Sequence, residues 1–228
     1  MRIDIHVHTT FSKCGNFELD ELCEEIEAKE LRWVTVTDHG SSKACVELET
    51  RFPELNVVYG VEVTTREGDF LVYSPDSEHI LSLILYAHSV ENLRRGPDEA
   101  IIWAHPRGSS PRGWTAPSAG NEQVRKVMEY IDGIEIYNSK MMSGGMYLGI
   151  SLDEYLAGVE ALGKEFGKTL TGGSDAHVRE HFMTCWTEFP APPTSAEDFV
   201  AHIRSGNVRP GTTLVSNSGE PIKMEARG

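Results

Sequence analysis

The chain has 228 residues, 39% of them apolar before its 21 glycines are counted, which fits one folded domain with a sizeable core and excludes wholesale disorder. Its formal charge of −14, from 35 acidic against 21 basic residues, disfavours nonspecific binding to duplex nucleic acid. Several cations bound in one cleft would reverse that sign locally, so a small anionic substrate is admitted.

The first predicted strand, Arg2 to Val7, opens the chain. Strand alternation sends Asp4, His6 and His8 to one side and Ile3, Ile5 and Val7 to the other, giving one face for chemistry and one for a core. A helix is predicted over Leu19 to Glu30, where Leu22 and Ile26 stand four apart. A second strand, Trp33 to Thr37, runs into Thr37-Asp38-His39, and a third, Val57 to Val63, carries Gly60-Val61-Glu62. The fourth, Ala100 to Ala104, precedes His105-Pro106, and a helix is predicted over Asn121 to Ile131. Gly133 to Tyr137 is the fifth strand, Leu152 to Phe166 a helix, and Thr169 to Gly172 a sixth strand ending in Gly173-Ser174-Asp175-Ala176-His177. A weaker strand, Thr184 to Phe189, and a helix, Ser195 to Arg204, follow; residues 210–228 read as a tail or an edge strand.

Alternation of this kind predicts an α/β fold with a mainly parallel sheet. His8, His39, Glu62, His105 and Asp175 each fall at or just past a predicted strand end, where barrel enzymes place their chemistry, and no glycine-rich phosphate loop follows the first strand. The expectation is a single domain over residues 1–228 built as a β/α barrel. Two segments leaving the same mouth, Pro106 to Gly120 and Asn138 to Ile150, are either substrate loops or plain connections.

Imidazole nitrogens and carboxylate oxygens are the usual ligands of zinc, manganese and iron in hydrolytic sites. His6, His8, His39, Glu62, His105, Asp175 and His177 exceed what one tetrahedral centre uses, so at least two ions are expected, with Glu62 as the natural bridge. Such a set leaves positions for water, which marks catalysis rather than a closed structural site. Asp38 is either a helix N-cap or a partner that orients a ligand histidine. His79, His88 and His202 stand beside no other ligand and are read as ordinary surface or core residues. Cys14, Cys23, Cys45 and Cys185 form no C-x-x-C pair, which excludes a disulfide framework or zinc ribbon. With no bilayer-spanning apolar run and no signal-peptide pattern, no membrane association is expected and the expected compartment is a reducing cytoplasm.

The ordered stretches HVHTTFS (His6 to Ser12), TDHG (Thr37 to Gly40), GVE (Gly60 to Glu62), AHP (Ala104 to Pro106) and GSDAH (Gly173 to His177) resemble the polymerase and histidinol phosphatase, or PHP, domain family. The resemblance implies a distorted seven-stranded β/α (TIM-like) barrel, two to three divalent ions (Zn, Mn or Fe) and hydrolysis of phosphoesters. It would give one ion His6, His8, Glu62 and Asp175, a second Glu62 and His105, and a third His39 and His177. Cys14 stands where the family commonly has a histidine or aspartate for the third ion, and Asp69 lies in the region that often supplies a histidine to the second. A thiolate at Cys14 would favour zinc, and an unliganded thiol is the alternative. Glu135 in GIEIYN is a further strand-end carboxylate, as ligand, as outer support, or as an ordinary acidic residue.

The expected activity is that of a metal-dependent phosphoesterase, with a hydroxide bridging two ions attacking the phosphorus of a small phosphomonoester or nucleotide-type ester. Arg107 is the first candidate for the phosphate oxygens, followed by Arg179 and Lys140, and His181 is a candidate acid for the leaving group. Trp114 either offers a flat surface to a nucleobase or packs on the rim. An amidohydrolase-type enzyme also opens on H-x-H, but no lysine ends a middle strand here to join two ions. A non-catalytic metal-binding PHP module is the alternative of a different class. Oligomeric state is not legible.

Overall fold

The computed structural model describes residues 1–93, 96, 98–110, 113–143 and 148–214. In chain order the elements are β1 (Arg2–Ile3), α1 (Leu19–Ala28), β2 (Trp33–Val36), α2 (Lys43–Arg51), β3 (Asn56–Thr65), β4 (Gly68–Ser74), α3 (Ser77–Tyr86), β5 (Ala100–Trp103), β6 (Gly108–Ser110) and β7 (Gly113–Thr115). The second half adds α4 (Glu122–Tyr130), β8 (Gly133–Tyr137), α5 (Ser139–Ser143), α6 (Leu152–Phe166), β9 (Thr169–Gly172), β10 (Cys185–Glu188), α7 (Ala196–Arg204) and β11 (Arg209–Thr212).

A six-stranded sheet in the order β2-β3-β4-β5-β8-β9 forms the frame. The pairs β2/β3, β5/β8 and β8/β9 are parallel, whereas β4 runs antiparallel to both its neighbours. The result is a curled half-barrel of mixed direction rather than the expected continuous seven-stranded barrel. The strand that breaks the expected pattern, β4, is joined to β3 by a tight hairpin, so no helix separates the two. Its run Phe70 to Ser74 is wholly buried and lacks the polar alternation that would mark it in the sequence.

The first strand also departs from expectation. Only Arg2 and Ile3 pair in a ladder, with β10 of a separate three-stranded antiparallel sheet. At Asp4 the ladder stops, because this buried carboxylate accepts from the backbone N–H and hydroxyl of Ser174 and from the N–H groups of Met183 and His6. Further on, the chain is seated between two strand ends: Thr37 donates to the Val7 carbonyl at 2.9 Å and His8 donates to the Ala176 carbonyl at 2.8 Å. His6 to His8 thereby lie between the sheet's two edge strands, β2 and β9.

Both faces of the central strands are apolar, as a sheet covered on two sides requires. Phe70, Val72, Ile101 and Trp103 join one core with residues of α3, α4 and α6, while Leu71, Tyr73, Ala100 and Ile102 join another with Phe199, Val200 and Ile203 of α7. Register then places Glu62 on the α7 side, because Val58 and Glu62 share a face while Val61 and Val63 belong to the other core. Glu62 lies inside β3, not at its end, since β3 runs on to Thr65. Residues 210–214 include the end of β11, which borders β10; residues 215–228 of the expected tail lie outside the described residues.

Replacing Asp4 by Ala would leave buried donors from three residues unpaired. Urea unfolding of Asp4→Ala should show a loss of about 3 kcal/mol, and an unchanged midpoint would contradict the anchoring role.

Candidate metal centre

Side chains from four segments, the first strand and the loops after β2, β5 and β9, meet the mid-strand carboxylate of Glu62. His6 Nε2 lies 3.1 Å from His8 Nε2 and 3.2 Å from Glu62 Oε2. His8 Nε2 is 2.9 Å from the same oxygen and 3.3 Å from Asp175 Oδ1. His39 Nε2 approaches Glu62 Oε2 at 3.1 Å, and His105 Nε2 approaches Oε1 at 3.1 Å. Glu62 thus faces four imidazoles. Three groups of side chains each bring their ligand atoms within 4.8 Å of one another: His6, His8, Glu62 and Asp175; Glu62, Asp69 and His105; and His8, Cys14 and His39.

The hydrogen bonds on the far side of each ring decide what these atoms can hold. His39 Nδ1 lies 3.1 Å from the Glu62 backbone carbonyl and His177 Nδ1 lies 2.8 Å from that of Asp175, acceptors that require the ring to donate. His6 Nδ1 is 2.9 Å from Glu135 Oε1. In neutral rings so oriented, Nε2 presents a lone pair, and the lone pairs of His6 and His39 point at the ionised Glu62. Acceptor against acceptor is repulsive unless a proton or a cation lies between them. The donor set of imidazoles and carboxylates, buried and with its rings already oriented, fits divalent zinc, manganese or iron.

A family model for the PHP domain matches residues 4–107 and one described as PHP-associated matches residues 159–208. The chain belongs to the PHP domain family. No curated protein sequence matches this PHP chain, but solved structures share its fold. PsfC from Pseudomonas syringae aligns at TM-score 0.65 and 18% identity over 93% of this chain and 91% of its own. A two-domain protein from Bacteroides vulgatus containing a predicted PHP-like metal-dependent phosphoesterase aligns at 0.67 and 15% identity, over 93% of this chain and 64% of that one. The lesion-specific endonuclease EndoQ of Pyrococcus furiosus aligns at 0.55 and 14% identity, over 92% of this chain and 57% of its own.

Local backbone geometry serves the cluster. His105 and Asp175 both have positive φ, 28° and 53°, a left-handed region that costs non-glycine residues energy and concentrates at functional sites. Gly173 allows the β9 loop to press against the first strand, since a Cβ there would stand 2.4 Å from His6 Cβ and 2.8 Å from Glu135 Oε1.

Charge in the cluster is strongly coupled. Burial opposes protonation of His6, but the carboxylates of Glu135, Asp175 and Glu62 outweigh it and raise its pKa well above the usual histidine value. His39 and His105 are likewise raised against burial, mainly by Glu62. Burial also opposes ionisation of Glu62 and Asp175, yet the histidines, His6 foremost, hold both below the usual carboxylate range. His177 is the exception: burial brings its pKa down to about 4 despite Asp175. Ions entering this site therefore compete with protons on the raised histidines.

The residues expected from sequence divide clearly. Besides the ligand groups, Lys140 Nζ lies 3.2 Å from both His177 Nε2 and Asp175 Oδ2, and Arg107 reaches Asp69 Oδ2 at 3.1 Å. His177 belongs to none of the three groups and turns its Nε2 to Lys140, but its ring lies 4.5 Å from that of His8 and its Nδ1 3.3 Å from Asp175 Oδ1, while His8 groups with His39 and Cys14. Arg179 does not reach the cluster: its guanidinium is held by Glu25 at 2.7 Å and Glu24 at 2.6 Å on α1. Asp38 caps no helix, because both its oxygens accept from Thr9, at 2.7 Å from N–H and 2.6 Å from the hydroxyl, fixing the turn after His8. His181 lies in the turn Arg179–His181, outside the ligand groups, with its Nδ1 buried and without a hydrogen-bond partner among the described residues.

Glu135 is a support. It accepts from His6 Nδ1, from the His105 N–H at 2.9 Å and from Asn138 Nδ2 at 2.9 Å, so one buried carboxylate orients the His6 ring and the His105 backbone. Asn138 and Ser12 carry no sequence signal strong enough to single them out. Asn138 also donates to Asp175 Oδ2 at 3.3 Å, and the Ser12 hydroxyl accepts from the His39 N–H at 2.7 Å. Their positions, three residues after Glu135 and four after His8, are the only hint.

An amide at position 135 would set its NH2 against one of these three donors. Glu135→Gln should bind metal about 10- to 100-fold more weakly in competition with a chelator while retaining its circular dichroism spectrum; unchanged affinity would contradict the support role. Metal loading should release protons from the raised histidines, and affinity should fall as pH is lowered because protonation then favours the metal-free form. Calorimetry near neutral pH in buffers of different ionisation enthalpy measures this, and buffer-independent heats would contradict it.

Proposed function

We propose that this PHP chain is a metal-dependent phosphoesterase acting on a small phosphomonoester or a nucleotide-type ester. The observation that carries the reading is the convergence of three ligand groups joined through Glu62 and His8, more donors than one structural ion uses and all at one end of the sheet. His6, His8, Glu62 and Asp175 would hold one ion, Glu62, His105 and Asp69 a second, and His39, with Cys14 or His177, a third, since the one free lone pair of the neutral His8 ring serves a single ion. When bound, such ions supply a water acidified toward neutrality and neutralise the oxygens of a phosphoryl group.

The chain's own residues do the rest. Glu135 and the backbone carbonyls of Glu62 and Asp175 keep the imidazoles oriented. Arg107 and Lys140, half exposed beside Asp69 and Asp175, bind the non-bridging oxygens of the ester. In the reaction the oxygen of water bonds to phosphorus, the P–O bond to the leaving alcohol breaks, the alcohol departs with a proton from the chain's acid, and the proton given up by the water restores that acid. Lys140, 3.2 Å from Asp175 Oδ2, is better placed than His181 to give that proton. The expected hydroxide nucleophile and ion identity belong to this reading.

Wild-type protein loaded with zinc, manganese or iron should hydrolyse a panel of phosphate esters, and His6→Ala or Asp175→Ala should reduce kcat at least about 1000-fold with the fold intact. Tightly bound ions with no turnover across mono- and diesters would overturn the reading in favour of a non-catalytic metal module.

A further inference from the structure

Beside the metal centre is a cavity of about 380 Å³ that the proposed chemistry does not use. Its walls combine the flat or apolar surfaces of Trp103 at the end of β5, Trp114 on β7, Pro117, and Val124 and Val127 of α4 with the polar side chains of Glu67 and Ser118. Its rim carries the neutral amides of Asn121 and Gln123. Arg107 is the partition between cavity and centre. Its guanidinium carbon stands 4.4 Å over the Trp114 ring while its NH2 group holds Asp69, a member of the second ligand group, at 3.1 Å.

We propose that this cavity receives the nucleobase of a nucleotide whose phosphate lies at the metal centre, an inference that rests on the phosphoesterase reading above. Indole walls and a guanidinium plane favour a flat π system, which every base presents, over an aliphatic chain. The amides at the rim can pair with ring-edge donors and acceptors, and being neutral they tolerate a base better than a second phosphate. Arg107 lies two residues after His105, so a ligand with its phosphate beside Arg107 and Asp69 can carry its ring past the guanidinium onto Trp114. The same arginine then contacts both ends of the substrate. A phosphomonoester with no ring fills only the centre.

The deciding comparison is adenosine monophosphate against ribose phosphate, which differ only by the base. In metal-loaded wild-type protein kcat/KM should favour adenosine monophosphate, Trp114→Ala should reduce that preference about tenfold, and Trp114→Phe should restore most of it. A preference near one in the wild type, or one unmoved by Trp114→Ala, overturns the proposal. Adenosine alone, added to protein without metal, should quench tryptophan fluorescence saturably and more weakly in Trp114→Ala; no saturable quenching overturns it too. Saturable, Trp114-dependent quenching with neither ester hydrolysed would sustain the cavity and reject the phosphoesterase reading. Equal hydrolysis of both esters without adenosine binding would reject the cavity alone.

Discussion

The arrangement depends on one carboxylate. Glu62 stands within 3.2 Å of His6, His8, His39 and His105, and those histidines arrive from three different segments. Its position is a matter of register: β3 pairs in parallel with β2 up to Tyr59 and then antiparallel with β4 through Thr65. A slip of one residue in that pairing would turn Glu62 toward the core of Val61 and Val63. The hairpin turn and the buried run of β4 are therefore as much a part of the site as the ligands.

Around this joint the polar groups are arranged in ranks. Asp4 fixes the strand that carries His6 by binding Ser174 and Met183, Asp38 fixes the turn after His8 through Thr9, and Glu135 orients His6 and the His105 backbone. Each of these carboxylates is buried and satisfied by donors, the condition under which burial of a polar group is tolerated.

Legibility in the sequence followed the physics of each signal. The H-x-H pair, the Asp-Ala-His cluster and Glu62 could be read because polar ligand types interrupt apolar strand runs at points where a core residue would otherwise stand. Helices α1, α4, α6 and α7 could be read from their apolar spacing. Strand β4 and helix α3 could not: Phe70 to Ser74 and Ile80 to Tyr86 are apolar with neither a strand's nor a helix's clear period, and α3 leaves Leu81, Leu85 and Tyr86 exposed. Roles were harder still. Proximity in sequence made Arg179 and His181 resemble site residues, whereas α1, distant in the chain, supplies the carboxylates that claim Arg179.

The left-handed backbone at His105 and Asp175 sets stability and chemistry against each other. Each strained residue costs about 1–3 kcal/mol that glycine would recover, and glycine at either position would erase a ligand. Random drift toward sturdier variants would be drawn to these two positions first, so a homologue that has relaxed them would be the more durable protein and an idle one.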